Sequence, residues 1–361
     1  MSNKSTKIKA NYRVVGVMSG TSLDGLDLAL ADFSLKNEQW SFETIKACTI
    51  GYPKRLSRQL AISTQLNAGQ LVELDIELGL FIGEAIVQHF EKEEQIDFIA
   101  SHGHTIFHQP QKGISLQIGE AKAIHKTTNI PVISDFRSLD VALGGNGAPL
   151  VPIGDQLLFS EYDCFLNLGG IANCTLYKED KMLAYDIMPF NMALNHLSQK
   201  LGLAYDEGGK ISKEGNLSAM IEDQLLTIDY YQRPHPKSLG FEDFEEHWLP
   251  IIEAASCPTK DLMHTYVSHA AKTISDELNR IANGSSKLLV TGGGAYHKFF
   301  IELLSQEFNG ELIVPSSEIV EFKEAIVFGF LGVLRHRNQT NCLKTVTGAV
   351  RDSSSGVLTG F

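Results

Sequence analysis

The chain is poor in cysteine and has no long apolar run. Its 361 residues hold five cysteines, at Cys48, Cys164, Cys174, Cys257 and Cys342. The number is odd and no CxxC pair occurs. Neither a zinc site nor a disulfide framework is expected, and the predicted compartment is reducing. No apolar stretch approaches the ~20 residues that span a bilayer. Residues 1–12 are polar and basic, without the apolar segment of a signal peptide. Together these predict a cytoplasmic protein. Positive charge is also short, with 31 Lys and Arg against 43 Asp and Glu and a net charge of -12. That argues against a nucleic-acid or anionic-membrane partner. An anionic substrate must then be held by a local arrangement of groups. The phosphate-binding pattern GxxxxGK[ST] is missing as well, so no P-loop is expected.

The composition that is present, 43% hydrophobic and 20% charged, is that of an ordinary globular protein. The length makes two domains the expectation. The organising stretch is GVMSGTSLDGLDLAL, Gly16 to Leu30. An apolar run enters a polar turn and a second run leaves it. Leu26, Leu28 and Leu30 alternate with Asp27 and Ala29, which is strand periodicity. Two strands joined by a glycine loop follow. Gly20 and Gly25 let a ligand approach the backbone, and Ser19, Thr21 and Ser22 add hydroxyls, so the loop can form an anion-binding nest. Asp24 and Asp27 would repel a bare phosphate but suit one carrying magnesium, which prefers oxygen ligands. An ordinary hairpin with a polar turn explains the same residues equally well.

A third strand is expected over Trp40–Ile50, a helix over Leu71–Phe90 and a short strand over Ile96–Ala100. The strand runs into SHGHTIFHQP. His102, His104 and His108 invite a metal, but no acid or thiol pattern completes a known site, and polar residues lining a cleft fit better. Short strands are expected at Leu116–Ile118 and Pro131–Ile133, with a helix over Glu120–Lys126. DFRSLDVALGGNGAPLVP, residues 135–152, reads as a structured loop crossing between domains. Its Arg137 suits a bidentate grip on substrate oxygens, or a salt bridge to Asp135 or Asp140.

A second unit repeats the opening design. Cys164–Leu168 and Cys174–Tyr177 flank the turn Gly169-Gly170, with Asn167, Asn173 and Thr175 as polar groups. Met182–Asp186 is a third strand. Asp186, at its C-terminal end, is placed for general base work; Pro189 weakens the reading of it as a cap for the helix expected over Asn191–Leu201. Lys237 and Glu242 could hold substrate or be solvated loop charges. A helix is expected over His264–Ala282. The strand Lys287–Thr291 then runs through Gly292-Gly293-Gly294 into a helix over Tyr296–Phe308, a geometry that admits a flat ligand, although the triplet is not GxGxxG. Leu312–Val314 is a strand and Glu321–Arg335 a long apolar helix with Glu324 near its start. The tail, Thr345 to Phe361, is either frayed or packed on the first domain.

Two units of this kind suggest a duplicated α/β fold with crossover helices. Two glycine hairpins and a later strand–GGG–helix could hold the phosphates and nucleoside of one nucleotide. The arrangement resembles the actin-like ATPase superfamily. More narrowly, GVMSGTSLDGLDLAL, SHGHTIFH, LQIGE, DFRSLDVALGGNGAPLVP, FLNLGGIAN, PHPKSLGFEDF, VTGGGA and KEAIVFGF, in this order, resemble the anhydro-N-acetylmuramic acid kinase family over nearly the whole chain. The resemblance implies an α/β fold of two actin-like (ribonuclease H-like) domains around a central nucleotide cleft. The first would cover 1–136 with a returning segment of about 345–361, and the second 137–344. It implies ATP-dependent opening of the 1,6-anhydro ring of a cell-wall amino sugar, with phosphate placed on the 6-oxygen. ATP would lie on Gly20, Thr21, Ser22, Asp24, Gly25, Asp27, Asn167, Gly169, Gly170, Asn173 and Gly292–Gly294, with Mg2+ on Asp24 and Asp27. The sugar would lie on His102, His104, Arg137, Asn191 and Glu324, and Asp186 would be the base. Partners would be the amino sugar and ATP, with room for a homodimer. Two departures stand out. Met188 and Phe190 occupy positions usually held by glycine, which is expected to narrow the site or shift its backbone, and His104 stands where Gln is usual. A kinase of another small substrate and a non-catalytic nucleotide switch remain alternatives.

Overall fold

A computed structural model describes residues 9–20, 23–90, 95–178, 181–235, 237–280 and 282–361. The chain divides into two compact units, Met1–Phe159 with Phe322–Phe361, and Ser160–Glu321. The boundaries therefore lie at 159/160 and 321/322, not at 136/137 and 344/345 as expected. Residues 137–159 belong to the first unit instead of bridging to the second. The second boundary falls inside a single helix, Ser317–His336.

In the first unit β1 (Asn11–Ser19), β2 (Leu26–Lys36) and β3 (Gln39–Ile50) form an antiparallel meander. Asn37 and Glu38, with φ of 49° and 65°, make the two-residue connection between β2 and β3. Positive φ at both positions matches the right-handed twist of the strands. β4 (Phe98–Gln109) lies parallel to β1, and β6 (Val132–Ser134) parallel to β4. β4 is longer than the expected Ile96–Ala100 because its second half pairs with β5 (Ile114–Ile118). The tail is not frayed: β12 (Val357–Thr359) pairs antiparallel with β6. The expected loop at 135–152 contains a short helix, Ser138–Ala142, and leads into another, Pro152–Leu158. Helix Ala68–His89 begins at a reciprocal cap between Asn67 and Gln70. Its buried Leu74, Leu78, Ile82 and Ile86 join Val15, Val17, Leu28 and Leu30 in the core.

Helix Ser317–His336 approaches β1 so closely that a Cβ on Gly16 would lie 1.8 Å from the carbonyl oxygen of Ala325. The glycine at position 16 is therefore a packing requirement for the helix segment that begins next to Glu324.

In the second unit β7 (Cys164–Leu168), β8 (Ile171–Lys178) and β9 (Lys181–Pro189) repeat the meander. β10 (Lys287–Thr291) runs parallel to β7 and β11 (Glu311–Ile313) parallel to β10. Their order, β11-β10-β7-β8-β9, reproduces β6-β4-β1-β2-β3 of the first unit. Each unit is thus an α/β unit of the ribonuclease H-like, actin-like type. Tyr266 and Val267 of helix Thr259–Asn279 pack with Phe190, Tyr230, Trp248 and Phe300 in its core. Among the described residues no helix is long and apolar enough to cross a membrane.

Candidate active site

The first unit gathers one set of the expected residues at the ends of β1, β2 and β4. Gly20 lies in the turn after β1, where the Leu23 amide donates to its carbonyl at 3.2 Å. Thr21 and Ser22 lie outside the described residues. Asp24 is exposed and Asp27 half-buried, on either side of Gly25. Thr49 donates to Asp27 Oδ1 at 2.6 Å, so one oxygen of Asp27 is already engaged. Ser19 is buried. It accepts from Tyr52 at 2.7 Å, and its Oγ lies 2.8 Å from His104 Nδ1. Burial pulls the His104 imidazole below its ordinary range.

His102 is buried two residues before His104. It sits beside Arg137, whose Nε donates to His102 Nε2 at 2.9 Å and whose Nη1 donates to the Gly147 carbonyl at 2.6 Å. The expected salt bridges of Arg137 to Asp135 or Asp140 do not form. Asp135 Oδ1 instead accepts from the Ser138 amide at 3.1 Å. Asp140 is fully buried and accepts from the Gly147 amide, Thr347 and Cys342. The Gly147 peptide is therefore clamped on both sides, its N–H by Asp140 and its C=O by Arg137. Burial lowers the Arg137 guanidinium to about 10, and Glu324 opposes this. Glu324 is open to solvent by surface area. The protein around it nonetheless raises its carboxyl, against the pull of Arg137 and Lys323. Four expected sugar-binding residues, His102, His104, Arg137 and Glu324, thus belong to the first unit.

The second unit holds a different set. The carbonyl of Gly169 accepts the Asn191 amide, and that of Gly170 accepts the amides of Phe190 and Met192. The glycine turn is thereby docked on the first turn of helix Asn191–Gln199. Asn191 Nδ2 donates to the Leu168 carbonyl at 2.9 Å. Within the second unit Asn191 is thus tied to the glycine turn through its backbone amide and its side chain. A Cβ on Gly292, with φ of 81°, would meet Asn167 Oδ1 at 2.6 Å, and one on Gly294 would meet the Phe190 ring at 2.5 Å. These two glycines are fixed by packing. Gly293 is exposed, with only Asn191 Nδ2 at 3.8 Å, and is the member of the triplet open to a ligand.

Asp186 lies within β9, three residues before its end, and not at the strand terminus as expected. Asn173 on β8 stands opposite Asp186 on one side and opposite Asn167 on β7 on the other. The Leu239 amide donates to Asp186 Oδ2 at 2.9 Å. Burial raises the Asp186 carboxyl to about 6; the Leu239 bond offsets part of that and Asp243 adds to it. Desolvation is the larger effect here because it disfavours the charged form of a buried carboxyl. The two departures, Met188 and Phe190, are fully buried. Phe190 packs edge-on against Phe300 at 4.6 Å. They fill the core under the sheet and do not narrow an open site.

Glu242 is an exposed charge on the helical turn Phe241–Asp243, whereas Lys237 is buried and is neither solvated nor open to substrate. Sequence reasoning missed Tyr52, Gly147 and Leu239 as site partners. Tyr52 and Leu239 act through contacts 33 and 53 residues away in sequence, which no spacing reveals; Gly147 lies within the 135–152 stretch, seven and ten residues from Asp140 and Arg137. Among the described residues no group of three or more His, Cys, Asp or Glu is placed to hold a metal. Asp24 and Asp27 remain a pair of hard oxygen donors, the number magnesium takes when phosphates and water complete its shell.

Residues 12–360 match the family model for anhydro-N-acetylmuramic acid kinase. Curated relatives of that name include one from Shewanella denitrificans, 34% identical over 96% of this chain and 97% of the relative. Another, from Sulfurimonas denitrificans, is 33% identical over 95% and 98%. Among solved structures, the activator of the 2-hydroxyisocaproyl-CoA dehydratase from Clostridium difficile with bound ADPNP covers 90% of this chain and 97% of its own. It shares 15% identity at a TM-score of 0.40, a likeness too slight to bear on the reading.

Proposed function

Because the chain belongs to the anhydro-N-acetylmuramic acid kinase family, we propose that Asp186 is the base of that family's reaction and that Arg137 and Glu324 hold the sugar. The enzyme is a phosphotransferase with an alcohol acceptor, working in cell-wall amino-sugar recycling. Asp186 takes a proton from a water attacking the anomeric carbon. The bond from that carbon to the 6-oxygen breaks, and the 6-oxygen attacks the γ-phosphorus of ATP, releasing ADP. The product is N-acetylmuramic acid 6-phosphate. Phosphoryl transfer of this kind rests on positioning and charge stabilisation.

The observation that carries this reading is the Asp186 carboxyl, held by a backbone amide and raised to about 6. That value leaves it ionised at neutral pH and close to the operating range, where a general base is most effective. Arg137 has two of its nitrogens engaged by His102 and Gly147, which fixes the plane of the guanidinium toward a sugar oxygen. The backbone at Gly20 and Gly25, the turn Gly169-Gly170 and the exposed Gly293 are the places for ATP. Asp24 and Asp27 supply oxygens that suit a magnesium ion, which when bound neutralises phosphate charge.

The burial of Met188 and Phe190 favours the family substrate over a different small acceptor, since neither side chain is exposed to reshape a pocket. We place the reaction in the cytoplasm, in keeping with five free thiols. The test is a panel of 1,6-anhydro and free amino sugars with Mg-ATP, read by product mass. The expected product is heavier than the anhydro sugar by one phosphoryl group (HPO3) and one water. Absence of sugar-dependent ADP release overturns the kinase reading in favour of a nucleotide switch.

A further inference from the structure

Asp186 is gripped at three points by residues of the segment 230–239. Its amide donates to the Lys237 carbonyl at 3.1 Å, its carbonyl accepts from Tyr230 OH at 2.8 Å, and its Oδ2 accepts from the Leu239 amide at 2.9 Å. Residues 237–240 have no regular secondary structure, so they are held by individual contacts. The Gly240 amide donates to Asp243 Oδ2 at 2.7 Å, and the Lys237 side chain anchors the other end. It is buried, with Nζ 3.4 Å from the carbonyls of both Tyr230 and Tyr231, 4.8 Å from the Tyr230 ring centre, and 3.5 Å from Glu277 Oε1. Glu277, on helix Thr259–Asn279, is buried in turn. It also meets Tyr185 OH at 3.2 Å, Arg280 at 3.4 Å and His235 at 3.6 Å. A buried ammonium persists only when paired and hydrogen-bonded, and here that pairing ties the loop to the helix.

We propose that Lys237, anchored by Glu277, is a positioning residue for Asp186: it fixes the peptide segment whose Leu239 amide holds the carboxylate. This rests on the reading of Asp186 as the base. Among the described residues the ionisable groups that act on Asp186 or are acted on by it are Asp243, Tyr230 and Cys174, and none of these is a cation. The amide of Leu239 is therefore the group that favours the charged carboxylate, and loosening it raises the pH at which the base is lost.

The experiment is the pH dependence of kcat for the full chain with Mg-ATP and the anhydro sugar. The Lys237→Met/Glu277→Gln double variant removes both charges and leaves neither buried alone. We expect the acid limb to move up by about one pH unit, the equivalent of losing most of one hydrogen bond to a charged group, which alone lowers kcat at pH 7 about twofold and at pH 6 about fivefold, with any misplacement of the carboxylate adding to the fall at every pH. Tyr230→Phe, which deletes one oxygen, carries the same test if the double variant does not fold, with a smaller shift in the same direction. A folded variant with kcat within twofold of the parent and an unmoved acid limb overturns the proposal, even if its melting temperature falls. Asp186→Asn separates the two readings. Near-parent turnover in that variant ends the base assignment and this proposal with it. An inactive Asp186→Asn beside an unmoved double variant ends only the role of Lys237.

Discussion

Arg137 Nε donates to His102 Nε2 at 2.9 Å. A guanidinium is always charged and always a donor, so Nε2 of His102 is the acceptor and the imidazole proton sits on Nδ1, where it meets the Gly103 carbonyl at 2.9 Å. Burial first, and the neighbouring Arg137 second, push the His102 pKa down to about 3. His102 is therefore a fixed neutral acceptor that aims Arg137, and not a proton carrier.

Replacing His102 by Leu removes that acceptor and leaves a buried guanidinium donor unpaired. A lost hydrogen bond to a charged group costs roughly 1.5–3 kcal/mol, about a 10–100-fold rise in the sugar KM, with the ATP KM unchanged. His102→Gln keeps an acceptor and should lose far less. Steady-state kinetics on both variants check this. Equal KM values for the two would show that the acceptor is not what matters.

The pH dependence of turnover should show one acid limb near 6, set by Asp186. The carboxyl is raised by burial, so it is protonated and idle below that value and ionised above it. His102, already neutral, adds no limb between pH 5 and 8. A kcat profile flat down to pH 5 would contradict the assignment.

Asp186→Asn should lower kcat by at least ~10²–10⁴-fold, the usual worth of a general base, while both substrates still bind. The stability sign follows from the same raised pKa. The native carboxyl binds a proton more readily than the unfolded one, near 3.8. The contribution to stability is therefore fully present below about 4 and is lost progressively as pH rises from there through about 6, above which the buried charge carries its full cost. Asn carries no charge, so the melting temperature at pH 7 should equal or exceed that of the parent. A marked fall would favour a structural role.

Gly16→Ala should destabilise the first unit. The added methyl would sit 1.8 Å from the Ala325 carbonyl and 2.9 Å from the Gly329 amide, both backbone, so the helix must shift. Overpacking of this kind costs about 1–3 kcal/mol or more. Glu324 precedes Ala325, so the sugar KM should rise as well. Thermal melting with sugar kinetics tests both, and an unchanged melting temperature would refute the close approach.

Gly294→Ala should be rescued by a second change. Its methyl would lie 2.5 Å from the Phe190 ring. Phe190→Leu in the same chain gives back space, so the double variant should be less destabilised than the sum of the two singles. Additive losses in denaturant unfolding would show that the two sites do not touch.

The sequence by itself determined the repeated strand–glycine turn–strand design, because alternation and glycine are local signals. It also carried the family, through an ordered series of segments from Gly16 to Phe330. The candidates Arg137, Glu324 and Asp186 were legible as residue types in suggestive settings. What only tertiary structure decided is the state of each. Arg137 pairs with His102 and Gly147, not with the nearby aspartates, since Asp135 and Asp140 are spent on backbone amides. Asp186 is raised by desolvation, which depends on everything packed around it. Met188 and Phe190 point into a core whose depth no linear pattern reveals. Lys237, equally readable as a solvated charge, is a buried ion because Glu277, forty residues on, arrives beside it on a helix. Periodicity reports which face a residue shares with its sequence neighbours; burial and pairing report what the rest of the chain brings to that face.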